Sequence, residues 1–130
     1  MKAEEIIIKK ITSAFELGKA LTDEWITSNE YIFEEVDAEE AVKYLPSYMV
    51  YVLKTFRSDP QSMIYMQVLW ALNEYSKCKD ASNSYLGLWF LLTKEQRLAV
   101  MAFLEHLFHN QPVNIDADEI QKIIKRWGHA

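Results

Sequence analysis

Cysteine, glycine, proline and clusters of basic residues are all scarce in this chain of 130 residues. The single cysteine, Cys78, cannot form an intramolecular disulfide, and one unpaired thiol is typical of a reducing compartment. Only 3 Gly and 3 Pro are present, which favours a few long helices over many short strands joined by tight turns. The fold class that we predict is therefore all-α, stabilised by its own hydrophobic core.

Long hydrophobic runs are also missing. At the N-terminus only three consecutive apolar residues occur before charge returns, too few for the core of a signal peptide. The longest mostly apolar run, residues 85–93, is far shorter than the roughly 20 residues that a membrane-spanning helix needs. We therefore expect a soluble cytoplasmic protein that does not associate with a membrane.

Positive charge is not concentrated anywhere in the chain. Lys125 and Arg126 form a pair near the C-terminus rather than a basic patch, so we do not expect nucleic-acid binding. Negative charge is concentrated instead. Residues 21–43 carry eight acids and one lysine, a net charge of −7 in a chain whose total is −5.

This acidic segment contains the candidate partner-binding residues, which are Glu34, Glu35, Asp37, Glu39 and Glu40. One interpretation is a solvated surface whose carboxylates favour helix N-termini. A second is a surface that attracts a basic protein partner and speeds its association. A third is a divalent-cation site, although the segment lacks the Asp-x-Asp-x-Asp-Gly core of a calcium loop.

A second candidate is the Glu-His-x-x-His pattern formed by Glu105, His106 and His109. Histidines three residues apart can share a helical face, and imidazole pairs bind zinc or iron. The alternative is a set of polar side chains at the solvent edge of a buried helix. A metal site would need further ligands, and the only other histidine is His129.

Nucleophilic catalysis has little support in the sequence. Cys78 lies between two lysines, but no histidine or asparagine that could activate the thiol is its neighbour in the chain. No serine lies in a G-x-S-x-G motif, and the three glycines are too far apart to form a phosphate-binding loop. We therefore predict no catalytic residue, no metal ligand and no cofactor, and we leave open whether the chain is an enzyme.

Hydrophobic periodicity predicts five to six helices in one domain that spans residues 1–130. Segments 61–77 and 94–109 are apolar on nearly every side, so we expect them to be the central helices of a compact bundle. Segments 1–17 and 118–127 have one apolar face each, and we expect them to flank the central pair.

Capping residues predict where the helices begin. Thr93 opens a capping box, and Asp37 and Asp116 each precede a carboxylate three residues later. Asp59–Pro60 combines a capping acid with a proline at the first helical position. A short helix over 22–28 is also expected, beginning near Thr22 or Asp23.

Two boundaries depend on irregular segments. Pro46 is expected to interrupt a helix, because the residue before a proline avoids helical backbone angles, and Leu45–Pro46 is interpreted as a turn between two helices. Residues 78–86 are polar and turn-forming and are predicted to be a mobile loop. For residues 87–92, periodicity does not distinguish strand from helix.

Three stretches carry a resemblance to a known family: Ile-Lys-Lys-Ile-Thr-Ser-Ala-Phe (8–15), Tyr-Leu-Pro-Ser-Tyr-Met (44–49), and Leu-Thr-Lys-Glu-Gln-Arg with Phe-Leu-Glu-His-Leu (92–97 and 103–107). The chain resembles a family of small, uncharacterised, all-helical bacterial proteins, a domain of unknown function. The Leu-Pro-x-Tyr-Met element is the more specific part of the resemblance. The resemblance implies a helical fold, and it supplies no catalytic residue that can be carried over to this chain.

The functional expectation is a non-catalytic protein-interaction module, of the adaptor or immunity kind, that uses the acidic segment to bind a basic partner. The alternative is a small metal-dependent or ligand-binding enzyme with a site near His106 and His109. A symmetric homodimer that uses exposed aromatic residues is compatible with the first expectation.

Overall fold

The computed structural model of the chain describes residues 3–16, 21–60, 62–111 and 117–128. These residues form eight α-helices and no strand, which confirms the all-α class. The helices are α1 (Ala3–Ala14), α2 (Asp23–Thr27), α3 (Ile32–Glu35), α4 (Ala38–Thr55), α5 (Met63–Lys77), α6 (Leu88–Leu91), α7 (Lys94–Asn110) and α8 (Ala117–Trp127). The bundle is built from five long helices, since α2, α3 and α6 have only five, four and four residues.

One hydrophobic core joins the long helices. α7 packs against α1 and α8, while α4 packs against α1, α5 and α6, and α5 also contacts α8. The largest fully buried side chains come from several of these helices and their ends, and they include Trp127, Tyr48, Tyr65, Phe56 and Phe103. Each such side chain contributes roughly 1.5–3 kcal/mol by leaving water. None of the described helices is long and apolar enough to cross a membrane.

The two apolar helices both contribute heavily to this core, as predicted. α7 buries Val100, Phe103 and Leu104 completely, and α5 buries Val68 and Leu72 completely. Apolar side chains also remain on the outside of both helices. On α5 they are Met63, Met66 and Trp70, and on α7 Leu98 is 53% exposed. α5 therefore presents an apolar stripe to solvent as well as to the core.

α4 does not break at Pro46, so the predicted turn at Leu45–Pro46 is wrong. The helix runs without interruption for 18 residues with Pro46 inside it. A proline in this position removes one backbone hydrogen bond. Residues 45–49 are all buried, with Leu45, Tyr48 and Met49 at 0% exposure, and burial of these five side chains outweighs the lost hydrogen bond.

The start of α5 also differs from the sequence prediction. The helix begins at Met63, and its N-cap is Ser62, whose hydroxyl accepts a hydrogen bond from the Tyr65 N–H at 3.1 Å. Asp59–Pro60 forms a turn ahead of the helix, in which the Asp59 carbonyl accepts from the Ser62 N–H at 3.4 Å. A serine three residues further along therefore serves as the cap in place of the aspartate.

Other predicted boundaries are confirmed. Thr93 and Gln96 form the reciprocal capping box of α7, and Thr22 caps α2 by accepting from the Trp25 N–H. Residues 78–86 contain no helix, and α6 resolves the ambiguity over 87–92 in favour of one helical turn. The predicted cap at Asp116 lies outside the described residues.

Candidate functional site

An aromatic cluster holds the acidic segment against the bundle. The Trp25 ring of α2 stacks on Tyr44 of α4 with the centroids 5.4 Å apart. Tyr48 meets the edges of Trp25 and Phe33, at centroid distances of 6.4 and 5.0 Å. The Tyr48 hydroxyl donates to the Asn29 carbonyl at 2.7 Å, which fixes the chain between α2 and α3. The aromatic residues 44 and 48 therefore position the acidic segment.

The first turn of α4 uses two of the five candidate acids for local structure. The Asp37 carboxylate accepts a hydrogen bond from the Glu40 N–H at 2.9 Å, so Asp37 is the N-cap. The Glu40 carboxylate pairs with Lys43 at 3.2 Å, and the Lys43 side chain is largely exposed while that of Glu40 is about half-exposed. An exposed pair of this kind contributes roughly 0.2–1 kcal/mol. Asp37 is thus a structural residue, and the charge of Glu40 is partly balanced.

The other three candidate acids, Glu34, Glu35 and Glu39, are exposed. Within the described ranges, no lysine or arginine lies within ion-pair distance of any of them. Glu34 and Glu35 lie at the end of α3, and Glu39 lies in the first turn of the next helix, α4. We call the surface formed by Glu34, Glu35, Asp37, Glu39 and Glu40 the acidic face.

A hollow of about 290 Å³ borders the acidic face. One side of it is residues 37–39, and the other is residues 81–84 with Gly87 and Leu91. Leu91 is 48% exposed. The acidic face thus adjoins an exposed apolar side chain, which sequence patterns did not reveal because the two segments are about fifty residues apart.

Backbone contacts fix the loop beside this hollow. The Ala38 N–H, in the first turn of α4, donates to the Ser84 carbonyl at 2.8 Å. The Asn83 carbonyl accepts from the Gly87 N–H at 3.0 Å, and a Cβ at position 87 would lie only 2.6 Å from that oxygen. Glycine is therefore required at position 87 for the loop to close against α4.

The two histidines of the Glu-His-x-x-His pattern lie in different environments. The His106 side chain is 7% exposed, and its ring meets the edge of Phe56 at 5.9 Å. His109 is exposed and packs edge-on against Phe108, and Glu105 is exposed as well. His106 is therefore buried, contrary to the interpretation that places it at the solvent edge. In the part of the chain that the structure describes, no three His, Cys, Asp or Glu side chains are grouped to hold a metal ion.

His106 belongs instead to a cluster that the sequence did not predict. Its Nε2 lies 2.9 Å from Glu4 Oε2. Arg57 donates to the same carboxylate, from Nε to Oε1 at 2.6 Å and from Nη2 to Oε2 at 3.1 Å. The Arg57 hydrogen bonds are the main reason that the pKa of Glu4 falls to about 2. Partial burial acts in the opposite direction and raises the pKa of Glu4, whereas the hydrogen bond with His106 lowers the pKa further. The cluster ties α1, the end of α4 and α7 together.

Cys78 lies in the loop after α5. Its side chain is half-buried, and Sγ donates to the Asp80 carbonyl at 3.4 Å. Asp80 in turn accepts from the N–H and hydroxyl of Ser82, and these hydrogen bonds lower the pKa of Asp80. The residues around the thiol therefore organise the loop.

Comparison with known proteins supports the resemblance noted from the sequence. No curated protein and no solved structure matches the chain. A family model described as a family of unknown function, DUF6714, matches residues 4–130. Because the match covers almost the whole chain, the protein belongs to the DUF6714 family.

Proposed function

We propose that this protein is a non-catalytic interaction module, of the adaptor or immunity kind, that binds a basic protein partner through the acidic face. The observation that carries the proposal is the exposure of Glu34, Glu35 and Glu39 without a basic neighbour among the described residues. Their segment, residues 21–43, has a net charge of −7. Such a concentration of charge is suited to recognising lysine and arginine side chains.

The acidic face has the properties expected of an electrostatic recognition surface. Oriented charge raises association rates by roughly 10- to 1,000-fold, and the gain falls with ionic strength. The acidic face rests on buried rings, Tyr48 among them, so its carboxylates sit on a rigid support. Exposed Leu91 beside it offers an apolar contact next to the charges.

A pair of matched triple variants tests the proposal. The first neutralises the face through Glu34→Gln, Glu35→Gln and Glu39→Gln. The control neutralises three exposed acids on α1 and α7 through Glu5→Gln, Glu95→Gln and Glu105→Gln. Each set removes three negative charges, so the net charge changes from −5 to −2 in both.

Partners are captured from a lysate at low salt and then measured one by one in purified form. We expect the face variant to weaken binding of the basic partner at least tenfold and the control to leave it nearly unchanged. We also expect binding to weaken between low salt and about 0.15 M salt, where the Debye length is about 8 Å. Equal loss in both variants, or a partner without excess positive charge, would contradict the proposal.

The alternative is a small metal-dependent or ligand-binding enzyme with a site near His106 and His109. It has less support, because Glu4 already contacts Nε2 of His106 while His109 points to solvent. Elemental analysis of the purified protein measures directly whether it contains a bound metal. A stoichiometric transition metal that is lost in the variant His106→Ala and retained in Glu34→Gln would favour the enzyme.

A further inference from the structure

The second surface of interest is the groove between α5 and α8. Met63, Met66 and Trp70 of α5 follow one another at spacings of three and four residues, so they lie on one face of the helix. They are 38%, 52% and 41% exposed. Met66 and Trp70 also line a groove of about 170 Å³ with Glu119 and Ile123 of α8. We call this surface the α5–α8 face.

Hydrogen bonds show that α5 and α8 run in the same direction. The Arg126 guanidinium, near the end of α8, donates to Ser76 Oγ at 2.9 Å and to Asn73 Oδ1, near the end of α5. Glu119, in the first turn of α8, lines the groove beside the middle of α5, where residues from Met66 to Asn73 form the other wall. The C-terminal ends of the two helices therefore lie at one end of the α5–α8 face, and their N-terminal halves lie toward the other.

Charge is distributed unequally along the α5–α8 face. The first turn of α8 is acidic, with Glu119 on the groove, and its last turn contains Lys125 and Arg126. The last turn of α5 adds Lys77, which is largely exposed and only loosely paired with Glu74 at 3.7 Å. The face thus has an acidic side, an apolar centre and a basic end.

We propose that the α5–α8 face binds a second copy of this chain across a two-fold axis near Trp70. A two-fold axis perpendicular to the helices reverses one copy, so the Glu119 side of each face meets the Lys77 end of the other. The same operation brings the Trp70 side chains of both copies together at the centre, with Met66 of each copy one helical turn (about 6 Å) from the axis. Tryptophan, methionine and arginine are residues enriched at protein interfaces, and burial of the apolar centre provides the driving force.

Sedimentation equilibrium of the full chain over a range of concentrations tests the dimer. We expect a concentration-dependent dimer, and we expect Trp70→Glu and Met66→Glu each to raise its dissociation constant at least tenfold. The matched control is Leu98→Glu, because Leu98 is equally exposed but lies on α7, and it should leave the dimer unchanged. Far-UV circular dichroism identifies any variant that fails to fold. Met66, the more exposed of the two positions, keeps the test valid if Trp70→Glu unfolds the protein.

A charge swap tests the antiparallel arrangement independently of the apolar centre. Glu119→Lys and Lys77→Glu should each weaken the dimer, and the double variant should restore it. A wild-type chain that stays monomeric at every concentration would overturn the proposal, even if the α5–α8 face bound another protein. The proposal would also be overturned if the double variant did not regain dimer formation, or if Leu98→Glu weakened the dimer as much as Trp70→Glu and Met66→Glu do. The Gln triple variant of the acidic face should dimerise normally, which separates this proposal from the one above.

Discussion

Two buried tyrosines show how much a single hydroxyl group matters in this core. Tyr48 and Tyr75 are 0% and 2% exposed, and burial is the main reason that the pKa of each phenol is raised. The Tyr48 hydroxyl has a partner in the Asn29 carbonyl at 2.7 Å. The Tyr75 hydroxyl is buried without a hydrogen-bond partner in the described part of the chain. The two side chains therefore have opposite expected responses to loss of the hydroxyl.

We predict that Tyr75→Phe raises the free energy of unfolding by up to about 1 kcal/mol, because it removes a buried hydroxyl that lacks a partner. Tyr48→Phe should lower it by about 1–2 kcal/mol, since the Asn29 carbonyl loses its donor. Urea unfolding monitored by tryptophan fluorescence gives both values. A Tyr75→Phe variant that is less stable than the wild type would contradict the prediction and show that the Tyr75 hydroxyl has a partner in solution.

At the scale of elements, local capping decides where the best-defined helix begins. In α7 the Thr93 hydroxyl accepts from the Gln96 N–H at 3.1 Å, and the Gln96 side chain accepts from the Thr93 N–H at 2.9 Å. We predict that Thr93→Ala lowers the free energy of unfolding by about 1 kcal/mol, since one helix-end donor loses its acceptor. Thr12→Ala is the control, because that half-buried threonine lies inside α1, where its hydroxyl donates to the Lys9 carbonyl and caps no helix start. Equal effects of the two substitutions in urea unfolding would contradict a special role for the cap.

The loop beside the acidic face depends on the absence of a side chain at Gly87. We predict that Gly87→Ala lowers the free energy of unfolding by about 1–3 kcal/mol. The new Cβ would lie 2.6 Å from the Asn83 carbonyl oxygen, so the loop backbone would have to move. Gly128→Ala is the control, since a Cβ there would meet the flexible end of Met101 at 3.4 Å. Thermal unfolding of both variants measures the difference. Similar melting temperatures would show that the loop relaxes easily.

At the scale of the whole molecule, Glu4 joins three helices through Arg57 and His106. Its pKa is about 2 in the folded protein against an ordinary value of 4.5. Because the folded value is the lower one, the cluster stabilises the protein above about pH 4.5. That contribution is lost as the pH falls toward 2. Arg57 is half-exposed, and solvent screening reduces the expected contribution to about 1–2 kcal/mol.

We therefore predict that Glu4→Gln lowers the free energy of unfolding at pH 7 by about 1–2 kcal/mol. The difference from the wild type should shrink steadily between pH 5 and pH 2. Glu5→Gln, a substitution at the neighbouring exposed carboxylate, is the control and should leave the pH dependence unchanged. Urea unfolding at a series of pH values measures all three proteins. A constant difference between wild type and Glu4→Gln across that range would show that ionisation of Glu4 does not stabilise the fold.

The sequence alone determined the features that depend on near neighbours in the chain. The all-α class, the caps at Thr22, Asp37 and Thr93, and the concentration of acids in 21–43 were all predicted from residues a few positions apart. Helix caps and amphipathic faces are formed by residues three or four positions apart, so a short stretch of sequence is enough to predict them.

Tertiary structure alone decided the features that depend on distant partners. Burial of residues 45–49 keeps α4 continuous through Pro46, and Glu4 meets His106 across 102 positions of sequence. The exposed stripe at Met66 and Trp70 is distinguished from the buried faces of α5 only by which neighbours cover them. These outcomes depend on how the helices pack, and packing energy is a property of the assembled core rather than of any local segment.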